Sequence, residues 1–100
     1  MTKLIIIGDG PAGASAALYA LRGNIDTTVI SKGYGALEKA HAIENYYGLA
    51  TPLPGKELHD LGVSQVRKLG ADIVFKEVVG ISFDGKFKVL TADEEFSADA

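Results

Sequence analysis

Leu4-Ile5-Ile6-Ile7-Gly8-Asp9-Gly10-Pro11-Ala12-Gly13 decides the reading of this chain. Four aliphatic residues in a row predict a short strand buried on both faces, as in a parallel sheet. Gly8, Gly10 and Gly13 then match G-x-G-x-x-G where a strand turns into a helix. The first glycine allows a tight turn. The second lets backbone approach a pyrophosphate, and the third lets helix and strand pack closely. Pro11 suits the first helical position, where a missing N–H costs nothing. The free amides of that helix, Ala12 and Gly13 among them, would face the phosphates at its positive end. A Walker loop is excluded, because Ala14 and Ser15 follow Gly13 where Lys and Ser or Thr are required.

Outward from this stretch the chain reads as one α/β unit. Pro11 to Arg22 is helical, with a small-residue face of Ala16, Ala17, Ala20 and Leu21. Gly23 stops the helix, and Asn24 tolerates the turn. Thr27 to Ile30 is a second buried strand, completing a βαβ unit. At its end a dinucleotide fold often carries an acidic residue for the ribose. Here Ser31 and Lys32 stand there. Either Ser31 bonds the ribose with Lys32 near a phosphate, or Lys32 takes the 2′-phosphate of NADP.

Ser31 to Gly55 is a loop rich in turn formers, and loops this long are usually functional or mobile. At its centre, Tyr46 and Tyr47 beside Asn45 could wall a ring-binding site. Lys56 to Leu69 returns to helical spacing, with a stripe of Leu58, Leu61, Val66 and Leu69 and a cap at Gly70. His59 on this helix reads as a surface residue rather than a ligand. Asp72 to Phe75 is a strand. Val78 to Phe83 and Lys86 to Leu90 flank Asp84-Gly85 as a hairpin. Asp93-Glu94-Glu95 reads as a solvated turn, and Phe96 to Ala100 begins a further strand.

The bulk numbers exclude several classes. The chain has 100 residues, 47% hydrophobic, so it can bury a core. A net charge of −3 without a basic run argues against nucleic acid and anionic membrane surfaces. There is no cysteine, hence no disulfide or thiolate metal site. No stretch has the roughly 20 apolar residues of a membrane span, and the N-terminus does not read as a signal peptide. A cytoplasmic protein is the expectation. No group of His, Asp and Glu has metal-ligand spacing, and no residue is assigned a catalytic role. His41, in the long loop, is a minor candidate for moving protons.

Taken together, these residues resemble the start of the thioredoxin reductase-like flavoproteins, the small FAD-dependent pyridine nucleotide–disulfide oxidoreductases. The resemblance rests on Gly8 to Gly13 after an N-terminal strand, and on Glu44-Asn45-Tyr46-Tyr47-Gly48, similar to that family's Glu-Asn-aromatic-Pro-Gly. It rests also on Gly55-Lys56-Glu57-Leu58 opening the second helix, and on Gly70-Ala71-Asp72-Ile73 before a β-meander. It implies a Rossmann-like βαβ FAD-binding unit with a parallel sheet plus a small β-meander, in which residues 1–100 are the N-terminal portion of one FAD domain. The remainder of that domain and a nicotinamide-type domain would lie beyond residue 100.

By the same resemblance the glycine loop holds the FAD pyrophosphate and Ser31 and Lys32 lie by the adenosine ribose. Asn45 lies near the isoalloxazine, and backbone near Val78 meets the adenine. The implied partners are NADPH or ferredoxin as donor, a thioredoxin-like disulfide as acceptor, and a second copy in a homodimer. Where the family commonly carries Gly-Gly-Gln-Leu, the comparable stretch reads Gly33-Tyr34-Gly35-Ala36-Leu37-Glu38-Lys39-Ala40-His41, without the glutamine, and Tyr47 stands at the usual proline, so contacts around the flavin differ. Two other readings remain: an NAD(P)-binding Rossmann domain without flavin, and a non-catalytic nucleotide-binding scaffold completed by a partner.

Overall fold

A computed structural model describes all residues, Met1–Ala100. The chain runs β1 (Lys3–Ile7), α1 (Pro11–Arg22), β2 (Asp26–Ser31), a 3-10 turn (Ala36–Lys39) and α2 (Gly55–Lys68). It continues through β3 (Asp72–Phe75), β4 (Gly80–Phe83), β5 (Phe87–Leu90) and β6 (Glu95–Ala98). β1, β2 and β3 form a parallel sheet in that order, with Ile7 opposite Ile30 and Ile30 opposite Val74. β4, β5 and β6 form an antiparallel meander. The fold is α/β, as the sequence predicts.

The core lies where α1 and α2 meet β2. Ala14 and Ala17 of α1, Val29 of β2, Val66 of α2 and Ala71 form one buried cluster. Small side chains on α1 bring the helix close to the strand, as expected. The face is Ala14, Ala17 and Ala20, however; Ala16 is exposed. The stripe on α2 is narrower than predicted: Val66 is buried, whereas Leu61 and Leu69 are exposed. β2, hydrogen-bonded on both edges, is the strand buried from Thr27 to Ser31. β1 is only partly covered and Ile7 is half exposed, so the double-sided burial expected of β1 belongs to β2.

Turns follow the residues that permit them. Asn24 takes φ 62°, and Gly70 takes φ 106° after α2. The β4–β5 connection has three residues, Asp84 to Lys86, because β5 begins at Phe87 rather than Lys86, with Phe87 opposite Phe83. Only Gly85 there has positive φ, which suits a longer loop better than a two-residue turn with both central residues left-handed. β4 starts at Gly80 rather than Val78. Glu95 belongs to β6, and Asp93 and Glu94 are not merely solvated: both pair with Lys76. Beyond β6 the backbone turns back to β1, with Ile5 N–H donating to Ala100 O at 3.0 Å and Ala100 N–H donating to Lys3 O at 3.3 Å. That alternation is the pattern of a parallel neighbour.

Candidate functional site

The glycine turn joins β1 to α1. Gly8 has φ 104° and donates its N–H to Ile30 O at 2.8 Å, tying the turn to β2. A Cβ on Gly13 would lie 2.0 Å from Gly8 O, so only glycine lets the helix cross the strand this closely. Gly10 differs: its φ is −67° and a Cβ would meet nothing within 4 Å. Neither backbone nor packing demands a glycine at that position.

Pro11 opens α1, no side chain caps its N-terminus, and the first backbone bond is Ala14 N–H to Gly10 O at 2.9 Å. The amides of Ala12 and Gly13 precede that bond, among the donors a helix leaves without intrahelical partners. A groove of about 290 Å³ runs past this helix mouth, lined by Gly8, Asp9, Gly10 and Pro11, by Ser31 to Leu37, and by His59. A second hollow of about 230 Å³ shares Gly8 and Lys32 and adds Ile7, Ile30, Lys76, Glu77 and Val78. The structure thus brings together Gly8, Gly10, Pro11, Ser31, Lys32 and Val78.

Their chemical states differ. Ser31 is buried and its hydroxyl is engaged by Gly33, accepting from the N–H at 3.0 Å and donating to the carbonyl at 3.3 Å. Lys32 is exposed on the groove wall. Asn45 is exposed and lines neither hollow. Its loop is closed at the base by the Ile43–Leu53 bridge and by Gly55 N–H donating to Ala40 O at 2.9 Å. Tyr46 reaches a small cavity beside Asp9, Gly10 and Pro11, whereas Tyr47 and His41 point to solvent.

His59 corrects the sequence reading. It is 8% exposed and faces the glycine turn, with Nε2 2.9 Å from Asp9 Oδ1. Asp9 is 6% exposed. The contact is a close polar approach without hydrogen-bond alignment, and Asp9 Oδ2 and both ring nitrogens of His59 have no hydrogen-bond partner. Tyr34 packs edge-on against the imidazole, with ring centroids 5.0 Å apart. Its hydroxyl donates to Asp60 Oδ1 at 2.8 Å, and that bond holds the phenol above its ordinary pKa of 10.0. Lys56 Nζ sits 5.3 Å from the Tyr34 ring centre. The largest cavity, about 650 Å³, adjoins this cluster between α2 and Phe75. The usable signal for His59 was its place one turn into α2, on the side where that helix meets the β1–α1 turn.

A parallel βαβ unit with a glycine turn at the mouth of an uncapped helix defines the class: an α/β domain of the dinucleotide-binding architecture. No protein-family model matches the chain. Relatives and solved structures narrow the class. The chain is 33% identical over 105 residues to a thioredoxin reductase of Chlamydia trachomatis, spanning 98% of this chain and 33% of that protein. It is 40% identical over 98 residues to a thioredoxin reductase of Treponema pallidum, spanning 95% and 32%. A thioredoxin reductase structure from Gloeobacter violaceus superposes with a TM-score of 0.93 at 30% identity, over 99% of this chain and 32% of that one. An atypical thioredoxin reductase from Desulfovibrio vulgaris gives 0.90 at 34% identity, over 100% and 34%. The chain is similar in sequence and fold to these thioredoxin reductases and spans about a third of their length.

Proposed function

We propose that residues 1–100 are the opening segment of the FAD domain of a flavin-dependent oxidoreductase, with the rest of that domain and a nicotinamide-type domain elsewhere in the protein. The observation that carries the reading is Gly10. Its glycine identity answers no need of the fold, since φ is ordinary and a Cβ would stand in open space at the helix mouth. It answers the need of a diphosphate that must touch backbone. The uncapped amides of Ala12 and Gly13 fit the same group.

In this reading Gly8, Gly10, Pro11, Ala12 and Gly13 form the pyrophosphate cradle, and Ser31 and Lys32 border the adenosine ribose. Backbone near Val78 borders the adenine, and Asn45 lies toward the isoalloxazine. Ser31 acts by shaping the Gly33 turn, which leaves Lys32 as the charged wall. Bound flavin would supply electron exchange between a donor, NADPH or ferredoxin, and an acceptor, a thioredoxin-like disulfide. The chain's own residues bind and orient it. A homodimer is part of the proposal.

Lys32 also suits the 2′-phosphate of NADP, which keeps a second reading, a Rossmann domain without flavin. The spectrum of the intact protein decides. Bands near about 450 nm, the ordinary flavin position, that disappear in Gly10→Val with the fold retained support the FAD cradle. A colourless native protein that binds NADPH selects the second reading. Retained yellow colour in Gly10→Val overturns the site.

A further inference from the structure

We infer that His59 is a positioning residue for the dinucleotide cradle: as imidazolium it neutralises the buried Asp9 carboxylate, so that an anionic diphosphate can occupy the glycine turn. The inference rests on the FAD reading above. Asp9 sits between Gly8 and Gly10, in the same groove that the diphosphate would enter. A buried carboxylate beside a bound anion is costly unless paired or protonated. The structure supplies one partner, His59 Nε2 at 2.9 Å, with both side chains less than a tenth exposed. Asp9 Oδ2 and both ring nitrogens of His59 have no hydrogen-bond partner, so no other protein group competes for the pair.

The consequence is a proton linked to cofactor binding. A diphosphate diester does not titrate between pH 5.5 and 8.5, whereas imidazole does. Protonated His59 favours the bound state, so affinity for FAD falls as pH rises through the imidazole range. The other groups facing His59 are Asp60 on its own helix, at 3.9 Å from Nδ1, and Tyr34 from the loop after β2. Lys56 lies over Tyr34, Glu38 of the 3-10 turn is near Tyr34, and Lys32 shares the groove. His41 is exposed and lies outside the groove.

The test is titration of the intact apoprotein with FAD, followed by flavin fluorescence, from pH 5.5 to 8.5. Native affinity should fall by up to about tenfold per pH unit over the upper part of this range. Asp9→Asn should flatten the profile and bind at pH 8.5 about as well as the native protein does at pH 5.5. His59→Gln should bind at least about tenfold more weakly at pH 6, with a flat profile. Adding Asp9→Asn to His59→Gln should restore binding, which a merely structural histidine would not allow. A flat native profile with tight binding overturns the inference and leaves the FAD cradle standing. So does an Asp9→Asn protein that keeps the native slope, or a double variant no better than His59→Gln. A folded native protein that takes up no FAD at any of these pH values overturns the cradle itself, and the inference with it.

Discussion

Gly10 and Gly13 are three residues apart in one motif, and the structure gives them opposite jobs. Gly13→Ala would place a methyl 2.0 Å from Gly8 O. The obstacle is backbone rather than a movable side chain, so a loss of about 3 kcal/mol is expected even without cofactor, read as a lowered unfolding midpoint. Gly10→Ala should leave the unfolding midpoint of the apoprotein within about 0.5 kcal/mol of native while weakening flavin retention. If both variants lose stability equally, Gly10 has a structural duty that its open surroundings do not show. The motif itself was legible, because each glycine sits at a fixed offset from the strand end. Asp9 and His59 were not. Their meeting depends on how α2 crosses the β1–α1 turn; His59 shares the face of Val63 and buried Val66, but that spacing reports a buried face and not the partner it meets.

Elements were more legible than residues, since periodicity reports a face and not a partner. Both helices appear where the 3.6-residue pattern places them, and β1 and β2 where unbroken apolar and β-branched runs place them. The 3-10 turn does not follow from pattern. It is held because a Cβ on Gly55 would lie 1.7 Å from Leu37 O and 3.2 Å from Ala40 O, so the first residue of α2 is the seat on which Ala36–Lys39 rests. Leu37 also lines the groove at the mouth of α1. Gly55→Ala is therefore expected to lift the turn and weaken flavin binding, at a stability cost of about 1–3 kcal/mol. Unchanged affinity in a folded Gly55→Ala protein would separate the turn from the site. The hairpin offers an independent control. Gly85→Ala forces a side chain into φ 76° at a cost of about 1 kcal/mol, with the groove untouched.

At the scale of the whole molecule two sheets must be held together, and Lys76 is one tie. It follows β3 and reaches the β5–β6 turn, with Nζ 3.1 Å from Asp93 Oδ1 and also hydrogen-bonded to Glu94. Lys76 holds the Asp93 carboxyl below its ordinary pKa, while Glu94 and Asp93 hold the Lys76 ammonium above its own. The lowered carboxyl contributes stability above the ordinary carboxylate range, lost as pH falls through the folded value. The raised ammonium contributes below the ordinary lysine range, lost as pH rises through its folded value. Lys76→Met should therefore lower the unfolding midpoint near neutrality and narrow the gap to native protein at both extremes. Asp93 and Glu94 are exposed and Lys76 is only half-buried, so the shift should be smaller than that of Gly13→Ala.

The tie does not cover the apolar surface around it. Ile81 is opposite Val89 and Phe83 opposite Phe87, which gives the meander one apolar face. Val89 and Ala98 are buried there, yet Ile81 and Phe83 are 58% and 64% exposed. Ile7 at the end of β1 and Phe75 at the end of β3 are also half exposed or more. An apolar surface of this kind is an association site unless other protein covers it. Residues 1–100 produced alone should thus sediment as concentration-dependent oligomers, and Ile81→Lys with Phe83→Lys should shift them toward monomer without lowering the unfolding midpoint. A sharp monomer at high concentration for the unaltered chain would show that this face tolerates water, and that no further part of a longer protein is needed to cover it.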